Sequence, residues 1–527
     1  MFNRTRCLQS AAALVSISLL TTGCGMLSSD QSDTEQKLAV GTTSTPSTLD
    51  PAGAWDGSWE LYRNVFQTLV SYPTGSTTPE PDAAEKCSFT DSSNQVYTCT
   101  LREGLTFSDG TALDAKAAKY SIDRIVAIGE KGGPSGLLSS LDKVETSGNR
   151  KITFRLNKPD ATFPFVLATP AMSMVSPADY PKDKLRTGNQ LTGSGPYNLA
   201  SYQPEKMAEL VKNPKYEGFA DLKNEAVTIH YYKDSAVMVD ALKKKEIDAT
   251  FRGLTAEQVI DLEGQPKEKE LQVVEAVGAE IRYLVFNPRD PSARKPAVRR
   301  AIAQVVDRGA LVDKVYKGTA EPLYSMIPSG VAGHATSFFD TYGEPSVPKA
   351  RNILAEAGIT EPVPLTFWYT SDRYGSATAL EFAELKRQLD ASGLFKITLK
   401  HRPWNEFAKG YQKGEYPVFG RGWSPDFPDP DNFVAPFVGE NNAVGTPYDT
   451  PEITASLLPK TRQESDRAAV GDQFGRAQEI LLEDVRLLPL WQGKLYVAAS
   501  DEIAGAERAL DPQTIMQVWQ LHKKTSW

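Results

Sequence analysis

Apolar and polar residues alternate along the chain with two different periods, which predict both strands and helices. Residues 151–156 are apolar at every second position, as in a strand with one buried face, and the largely apolar runs 271–277 and 281–286 predict buried strands. Apolar residues three and four apart predict two amphipathic helices, one through Val298, Ala301, Ile302, Val305 and Val306, the other through Val470, Phe474, Ala477, Leu481 and Val485. Interleaved strands and helices indicate an α/β fold.

A turn-rich stretch at residues 90–95 separates two segments with strand periodicity and predicts an antiparallel hairpin. Opposed residues in such a hairpin have a constant sum of residue numbers, so if Phe89 faces Tyr97, Cys87 faces Cys99. Directly opposed residues lie about 4.5–5.5 Å apart, within reach of a disulfide. The cysteine spacing matches no zinc site. We therefore predict a structural disulfide between Cys87 and Cys99 rather than a redox or metal-binding pair.

The N-terminus has the charge order of a secretory signal. Arg4 and Arg6 precede a short apolar stretch, residues 11–20, and the segment that ends at Cys24 resembles a bacterial lipobox. We predict that residues 1–23 form a lipoprotein signal peptide and that Cys24 is lipidated; an ordinary secreted protein with a free cysteine near its start is the alternative. Residues 24–37 are mostly small and polar, which predicts a flexible tether.

Composition narrows the possible classes of protein. The chain has 527 residues, too many for a single hydrophobic core, so we expect more than one folded unit. Its formal net charge of -8 provides no concentrated positive field for phosphate groups, which argues against a nucleic-acid partner. No apolar run reaches the roughly 18 residues that span a bilayer, which excludes a polytopic membrane protein.

Sequence motifs for catalysis or metal binding are largely missing. The four histidines have neither zinc nor haem spacing, and no Gly-x-Ser-x-Gly elbow or Walker A loop occurs. The acidic cluster at residues 426–432 lacks the ligand spacing of an EF-hand calcium loop, and its prolines predict a stiff loop. We therefore expect no enzymatic activity, no cofactor and no metal ion.

Short motifs are spread over nearly the whole chain after the predicted signal. They are residues 38–43, 48–51, 97–102, 104–111, 118–124, 192–197, 213–216, 241–248, 298–308, 354–358 and 422–433. In this order they resemble the peptide-type solute-binding proteins of bacterial ABC importers, the family 5 extracellular solute-binding proteins.

This resemblance implies a two-lobed α/β fold of the periplasmic-binding-protein type (type II), with an extra subdomain in the first lobe that includes the predicted hairpin. Lobe I would comprise residues 38–287 and the C-terminal return 490–527, and lobe II residues 288–489. We place the two crossovers near Phe286-Asn287 and near residues 488–491, where apolar strands meet proline or polar residues.

The resemblance also implies a function. The protein would be the substrate-binding component of an ABC importer, lipid-anchored on the outer face of the cytoplasmic membrane and monomeric, and it would deliver peptides to a permease and its ATPase. A ligand that contacts both lobes stabilises the closed state. An oligosaccharide or other small solute is the alternative ligand. A secreted two-domain hydrolase is the alternative from another class.

Three residues match the family's binding site by motif position. Asp426, three residues after Trp423, matches the carboxylate that binds the amino end of the ligand, and Trp404 matches a tryptophan of the cleft. A carboxylate in a water-excluded cleft binds an ammonium group through a charge-assisted hydrogen bond, and tryptophan faces favour a nearby cation. Alternatively, both tryptophans are core residues and Asp426 is a turn residue. We expect Asp429 and Asp431 to cap the loop.

Overall fold

The computed structural model of the protein describes residues 37–54, 57–265, 270–440 and 442–524. The predicted signal peptide, the predicted lipidation site Cys24 and the predicted tether up to residue 36 lie outside these ranges. Within the described ranges, no helix combines the length and the apolar character needed to cross a bilayer.

Strands and helices interleave along the described chain, which confirms the predicted α/β class. The strands are β1 (Lys37–Thr42), β2 (Val70–Ser71), β3 (Glu80–Pro81), β4 (Ala84–Phe89), β5 (Val96–Leu101), β6 (Leu141–Ser147), β7 (Lys151–Leu156), β8 (Tyr197–Gln203), β9 (Met207–Lys212), β10 (Ala226–Tyr231), β11 (Ala249–Phe251), β12 (Leu271–Phe286), β13 (Ala320–Pro322), β14 (Val363–Thr370), β15 (Phe395–Arg402), β16 (Val418–Trp423), β17 (Leu487–Ser500), β18 (Ile503–Ala504) and β19 (His522–Lys523). The α-helices are α1 (Ser58–Val65), α2 (Ala115–Ile128), α3 (Phe163–Leu167), α4 (Ser235–Lys243), α5 (Ala256–Glu263), α6 (Pro296–Val305), α7 (Arg308–Leu311), α8 (Ser337–Tyr342), α9 (Val347–Glu356), α10 (Ala377–Ala391), α11 (Trp404–Gln412), α12 (Leu458–Gln463) and α13 (Gly471–Asp484).

A mixed sheet of 11 strands forms the centre of the fold, in the order β15-β14-β16-β12-β17-β11-β1-β10-β9-β8, with β13 paired to β17. β14 runs parallel to β15 and β16, and β1 runs parallel to β10 and β11. β17 is antiparallel to all three strands that pair with it, β11, β12 and β13. A strand near the C-terminus therefore lies between strands from earlier parts of the chain.

Strands β12 and β17 change partners along their length. Residues 271–277 of β12 pair with β17 alone, whereas residues 281–286 pair with both β17 and β16. The register shifts between Val277 and Ile281. The prediction of two separate buried strands is therefore wrong: residues 271–286 form one strand, and residues 271–277 are partly exposed because β16 does not extend beside them. The predicted crossover positions stay predictions.

In the second half of β12, successive side chains point to opposite faces of the sheet, and both faces are buried. Leu284 and Phe286 belong to one hydrophobic cluster, and Tyr283 and Val285 belong to another on the opposite face. The apolar face predicted for α6 packs in the first cluster, and most of the face predicted for α13 packs in the second. Other clusters surround β1 and the four-stranded sheet of β4 to β7. The expectation of more than one core is therefore confirmed.

The four-stranded sheet has the order β4-β5-β7-β6 and contains the predicted hairpin. Phe89 lies opposite Tyr97 and Cys87 opposite Cys99, which is the register that the sequence predicts. The two cysteine sulfurs are bonded at 2.03 Å. Strand β7 coincides with the strand predicted at residues 151–156.

Helix α2 packs against this sheet, and its bounds follow from its sequence. The Asp114 side chain accepts hydrogen bonds from the backbone N–H groups of Lys116 and Ala117, which have no partner within the helix. The helix ends at Ile128, and the next residue, Gly129, has a φ of 54°, a left-handed conformation that glycine adopts without a steric penalty. Its buried face includes Ile122 and contributes to the same core as β5 and β7.

Candidate functional site

Strand β16 presents two different faces to its surroundings. Gly422 faces Arg282, and a Cβ at position 422 would lie 1.9 Å from Arg282 Nη1, so only glycine leaves room for this guanidinium group. Successive side chains of a strand point to opposite faces. Arg421 and Trp423 therefore point away from Arg282, toward the core cluster on the other side of the sheet.

Tyr283 of β12 shares that face. It lies opposite Arg421 in the antiparallel pair, and Ile281 lies opposite Trp423. The ring of Phe437 packs edge-on against both Tyr283, at a centroid distance of 5.3 Å, and Trp423, at 5.2 Å. Tyr283, Arg421 and Trp423 therefore form one group of adjacent side chains.

Trp404 approaches the same group from the first turn of α11. Its backbone N–H donates a hydrogen bond of 2.7 Å to Asp372 Oδ1, and its half-buried ring contacts two guanidinium groups. Arg373 Cζ lies 4.4 Å from the ring centroid and Arg421 Cζ lies 5.5 Å from it. Trp404 and Trp423 thus lie near the same arginine, although the described residues show no direct ring contact between them.

Asp426 is a buried carboxylate with few partners. Its Oδ2 accepts a hydrogen bond of 3.1 Å from Asn432 Nδ2, and its backbone N–H donates to Asn432 Oδ1 at 2.9 Å. Its side chain has no Lys, Arg or His within ion-pair distance among the described residues. Burial raises the pKa of Asp426 to about 6, and the hydrogen bond from Asn432 opposes this shift.

The two neighbouring aspartates of the loop are neutralised by arginines. Asp429 pairs with Arg467 at 2.7 Å and Asp431 with Arg462 at 2.9 Å. Asp429 also accepts a hydrogen bond of 2.9 Å from the backbone N–H of Asp431, so it caps the turn that follows, as predicted. The carboxylate of Asp431 accepts from Arg462 instead, so the predicted capping role of Asp431 is wrong. In the part of the chain that is described, no three His, Cys, Asp or Glu side chains are grouped to hold a metal ion.

The loop that carries Asp426 also contacts segments that are distant in sequence. Gln513 Nε2 donates a hydrogen bond to the backbone carbonyl of Asp426, and Arg63 donates to Gln513 Oε1. Phe427 packs in the core beside the four-stranded sheet, with its ring centroid 6.1 Å from that of Phe165. The loop is therefore held by both the N-terminal and the C-terminal parts of the chain.

Sequence reasoning did not single out Tyr283, Arg373 or Arg421. The alternation of glycine with larger residues in β16 is a signal that places Arg421 on the face of Trp423. Tyr283 carried no comparable signal, because its position opposite Arg421 depends on the pairing of strands far apart in sequence. A cavity of about 10 Å³, enough for one water-sized group, borders Arg421, Arg282 and Tyr374.

The sequence of the chain is similar to those of known solute-binding proteins. The sequence model described as "Bacterial extracellular solute-binding proteins, family 5 Middle" matches residues 78–445. The probable D,D-dipeptide-binding periplasmic protein DdpA of Escherichia coli (strain K12) is 27% identical over 89% of this chain and 90% of its own length. The glutathione-binding protein GsiB of Salmonella paratyphi A is also 27% identical, over 89% of this chain and 91% of its own.

The fold is similar to that of solved periplasmic binding proteins. The ABC transporter-associated periplasmic binding protein DppA from Helicobacter pylori, in complex with the peptide STSA, aligns with a TM-score of 0.75 at 23% identity. The alignment covers 93% of this chain and 98% of the other. This likeness confirms the predicted fold class.

Proposed function

The chain belongs to the bacterial extracellular solute-binding proteins of family 5, and from this premise we propose that it captures peptides for an ABC permease and its ATPase. The family consists of binding proteins, which agrees with the expectation of no enzymatic activity. Relatives named for binding D,D-dipeptides and glutathione, and a similar structure with a bound peptide, support a peptide as the ligand.

The observation that carries this proposal is the single unpaired carboxylate of the 426–431 loop. Asp429 and Asp431 each have an arginine partner, whereas Asp426 is also buried but accepts only the hydrogen bond from Asn432 among the described residues. A buried carboxylate without a counter-ion is costly to ionise. The α-ammonium group of a peptide supplies the missing positive charge, and free peptides carry this group whatever their side chains.

The surroundings of Trp404 favour a peptide over an oligosaccharide. Two guanidinium groups, those of Arg373 and Arg421, lie 4.4 and 5.5 Å from its ring centroid. Cations in this position occupy part of the aromatic surface that a sugar ring would need for stacking. The same cations are suited to the carbonyl and carboxylate oxygens of a peptide.

Calorimetric titration of matched peptides tests the role of Asp426. We expect a short peptide with a free amino end to bind the wild type, and the same peptide with an acetylated amino end to bind at least roughly 30-fold more weakly, because a buried charge pair is lost. Asp426→Asn should weaken the binding of the peptide with a free amino end by a similar factor. The exposed Asp449 provides a matched control, since Asp449→Asn removes a carboxylate outside the site.

Equal affinity of wild type and Asp426→Asn for the free peptide would remove Asp426 from the binding site. Native mass spectrometry of the purified protein identifies a co-purified ligand and so distinguishes a peptide from an oligosaccharide. If the titrated peptide is recovered as cleavage products, the protein is a hydrolase and the transport proposal is wrong.

We further propose that the two lobes are residues 38–287 with 490–527, and residues 288–489, and that the ligand lies between them. The change of strand partners within β12 supports a connection between two bodies in this part of the sheet. We also propose that the protein is a monomer, anchored by a lipid on Cys24 at the outer face of the cytoplasmic membrane. The lipobox-like sequence that ends at Cys24 supports this anchor.

A further inference from the structure

Gln513 is a buried residue of the C-terminal segment that contacts the loop carrying Asp426. It is 6% exposed, and its Nε2 donates a hydrogen bond to the backbone carbonyl of Asp426. Its Oε1 accepts a hydrogen bond of 2.5 Å from Nη2 of Arg63. Both ends of the amide group are therefore bonded, and Gln513 connects the main chain of Asp426 to helix α1, which contains Arg63.

Arg63 determines which way the Gln513 amide points. A guanidinium group only donates hydrogen bonds, so the amide oxygen must face Arg63 and the amide nitrogen must face the Asp426 carbonyl. Arg63 itself is fixed, since its Nε pairs with Asp511 Oδ2 at 3.0 Å and its Nη1 donates to Ser71 Oγ at 2.6 Å. The orientation of the Gln513 amide thus follows from the chemistry of its neighbours.

The main chain at Gln513 is also held in place. The Asp511 carboxylate accepts hydrogen bonds of 2.9 Å from the backbone N–H groups of Gln513 and Ile515, which closes a turn. Arg252 Nη2 donates to the backbone carbonyl of Thr514 at 2.8 Å. Gln513 therefore projects from a fixed turn, and a donor on a fixed turn can hold the group to which it is bonded.

The bonds of Asp426 within its own loop do not fix it relative to the rest of the protein. Its side chain and its backbone N–H bond only to Asn432 among the described residues, and Asn432 belongs to the same loop. The hydrogen bond from Gln513 comes from a residue 87 positions away in sequence. Together with the packing of Phe427 beside the four-stranded sheet, this bond sets where the Asp426 carboxylate lies.

We propose that Gln513 is a positioning residue, which holds the Asp426 carboxylate in the direction that receives the ammonium group of the ligand. Gln513 acts through the main chain of Asp426 and does not itself contact the ligand. A charge-assisted hydrogen bond depends on distance and angle, so a carboxylate that shifts loses part of its attraction for an ammonium group. This inference rests on the proposed function, because the ammonium group of a peptide reports the position of Asp426.

A role in lobe closure alone would have a different effect on binding. Gln513 belongs to the proposed lobe I and Asp426 to the proposed lobe II, so their hydrogen bond also crosses between the two. Loss of a contact that every closed complex shares weakens all ligands by the same factor. Loss of the position of Asp426 weakens mainly ligands with a free amino end. The ratio of two affinities therefore separates positioning from closure.

Calorimetry with one pair of peptides measures this ratio. Ala-Ala-Ala is compared with N-acetyl-Ala-Ala-Ala on the wild type and on Gln513→Met, which keeps the length of the side chain but removes the donor. We expect the preference for the free amino end to fall at least about threefold in Gln513→Met, because one hydrogen bond is lost. Gln520→Met is the matched control and should keep the wild-type preference, since Gln520 lies in the same segment and donates to Thr74 at the surface.

A double-mutant cycle shows whether Gln513 acts through Asp426. The factor by which Gln513→Met weakens Ala-Ala-Ala should be at least about threefold smaller in the Asp426→Asn background than in the wild type, because the carboxylate to be positioned is absent. An equal factor in both backgrounds would mean that Gln513 acts independently of Asp426, which contradicts the proposal.

The outcomes separate this inference from the proposed function. Circular dichroism and thermal melting check folding, and if Gln513→Met does not fold, Gln513→Glu carries the test, since an ionised carboxylate accepts from Arg63 but cannot donate to the Asp426 carbonyl. If the folded variant weakens both peptides equally or neither, Gln513 does not position Asp426, while peptide binding stands. If neither peptide binds the wild type, the proposed function fails and this inference fails with it.

Discussion

Asp426 differs from Asp429 and Asp431 in the side chain that each carboxylate binds. Arg462 and Arg467 keep Asp431 and Asp429 paired, whereas the carboxylate of Asp426 has only the amide of Asn432 to stabilise its ionised form. Burial consequently raises the pKa of Asp426 to about 6. The charge that this residue would offer to a ligand can thus be removed by mild acid.

We predict that peptide affinity falls as the pH is lowered below about 6, approaching tenfold per pH unit, because protonated Asp426 no longer pairs with an ammonium group. The stability of the ligand-free protein should change in the opposite direction and rise as the pH is lowered. The pKa is higher in the folded than in the unfolded chain, so this group favours unfolding when it is ionised, and the ligand-free protein gains stability from it as the pH falls from about 6 toward 4.

Titrations at several pH values, with urea unfolding of the ligand-free protein beside them, measure both effects. Asp426→Asn is the control, because its weak binding should no longer depend on pH in this range. An affinity of the wild type that is constant between pH 7 and pH 5 would contradict the prediction.

At the scale of secondary-structure elements, Gly278 lies within the register shift of β12 and close to the backbone of β17. A Cβ at Gly278 would lie 2.2 Å from the carbonyl oxygen of Gly493, which is nearer than any real Cβ contact. At Gly493 itself, the nearest atom to an added Cβ is Cζ3 of Trp491, at 3.6 Å. Gly493 therefore has room for a methyl group, whereas Gly278 does not.

We predict that Gly278→Ala lowers the free energy of unfolding by about 1–3 kcal/mol, because the strand pair must separate to admit the methyl group. Gly493→Ala should change it by less than about 0.5 kcal/mol. Urea denaturation followed by tryptophan fluorescence measures both variants. Equal stability of the two would show that the backbone relaxes around the new methyl group.

The elements show which features the sequence could predict. The register of the β4–β5 hairpin and the buried faces of α6 and α13 depend on local spacing, and the structure agrees with both. The exposure of residues 271–277 depends on where β16 ends, which local periodicity does not contain. Likewise, Trp423 and Asp426 share one short motif, whereas Tyr283 joins them through pairing between distant strands.

At the scale of the whole molecule, the proposed anchor determines where the protein works. Cys24 and the residues up to Gln36 precede the first described strand, β1, which begins at Lys37. A lipid on Cys24 would keep the binding protein near the membrane that holds its permease.

We predict that Cys24→Ser releases the protein from the membrane fraction into the soluble extracytoplasmic fraction, because the residue can no longer carry a lipid. Cys7→Ser is the matched control and should leave the distribution unchanged, since Cys7 lies within the predicted signal peptide. Immunoblots of fractionated cells measure both. Retention of Cys24→Ser in the membrane fraction would argue against lipidation at this cysteine.

The position of β17 in the large sheet has a consequence for how the protein is made. Residues 487–500 lie between β12 and β11 and join the two parts of the sheet. During synthesis the growing polypeptide lacks this strand until more than nine-tenths of it has left the ribosome. The central sheet therefore closes late, through contacts between residues far apart in sequence, which slows folding.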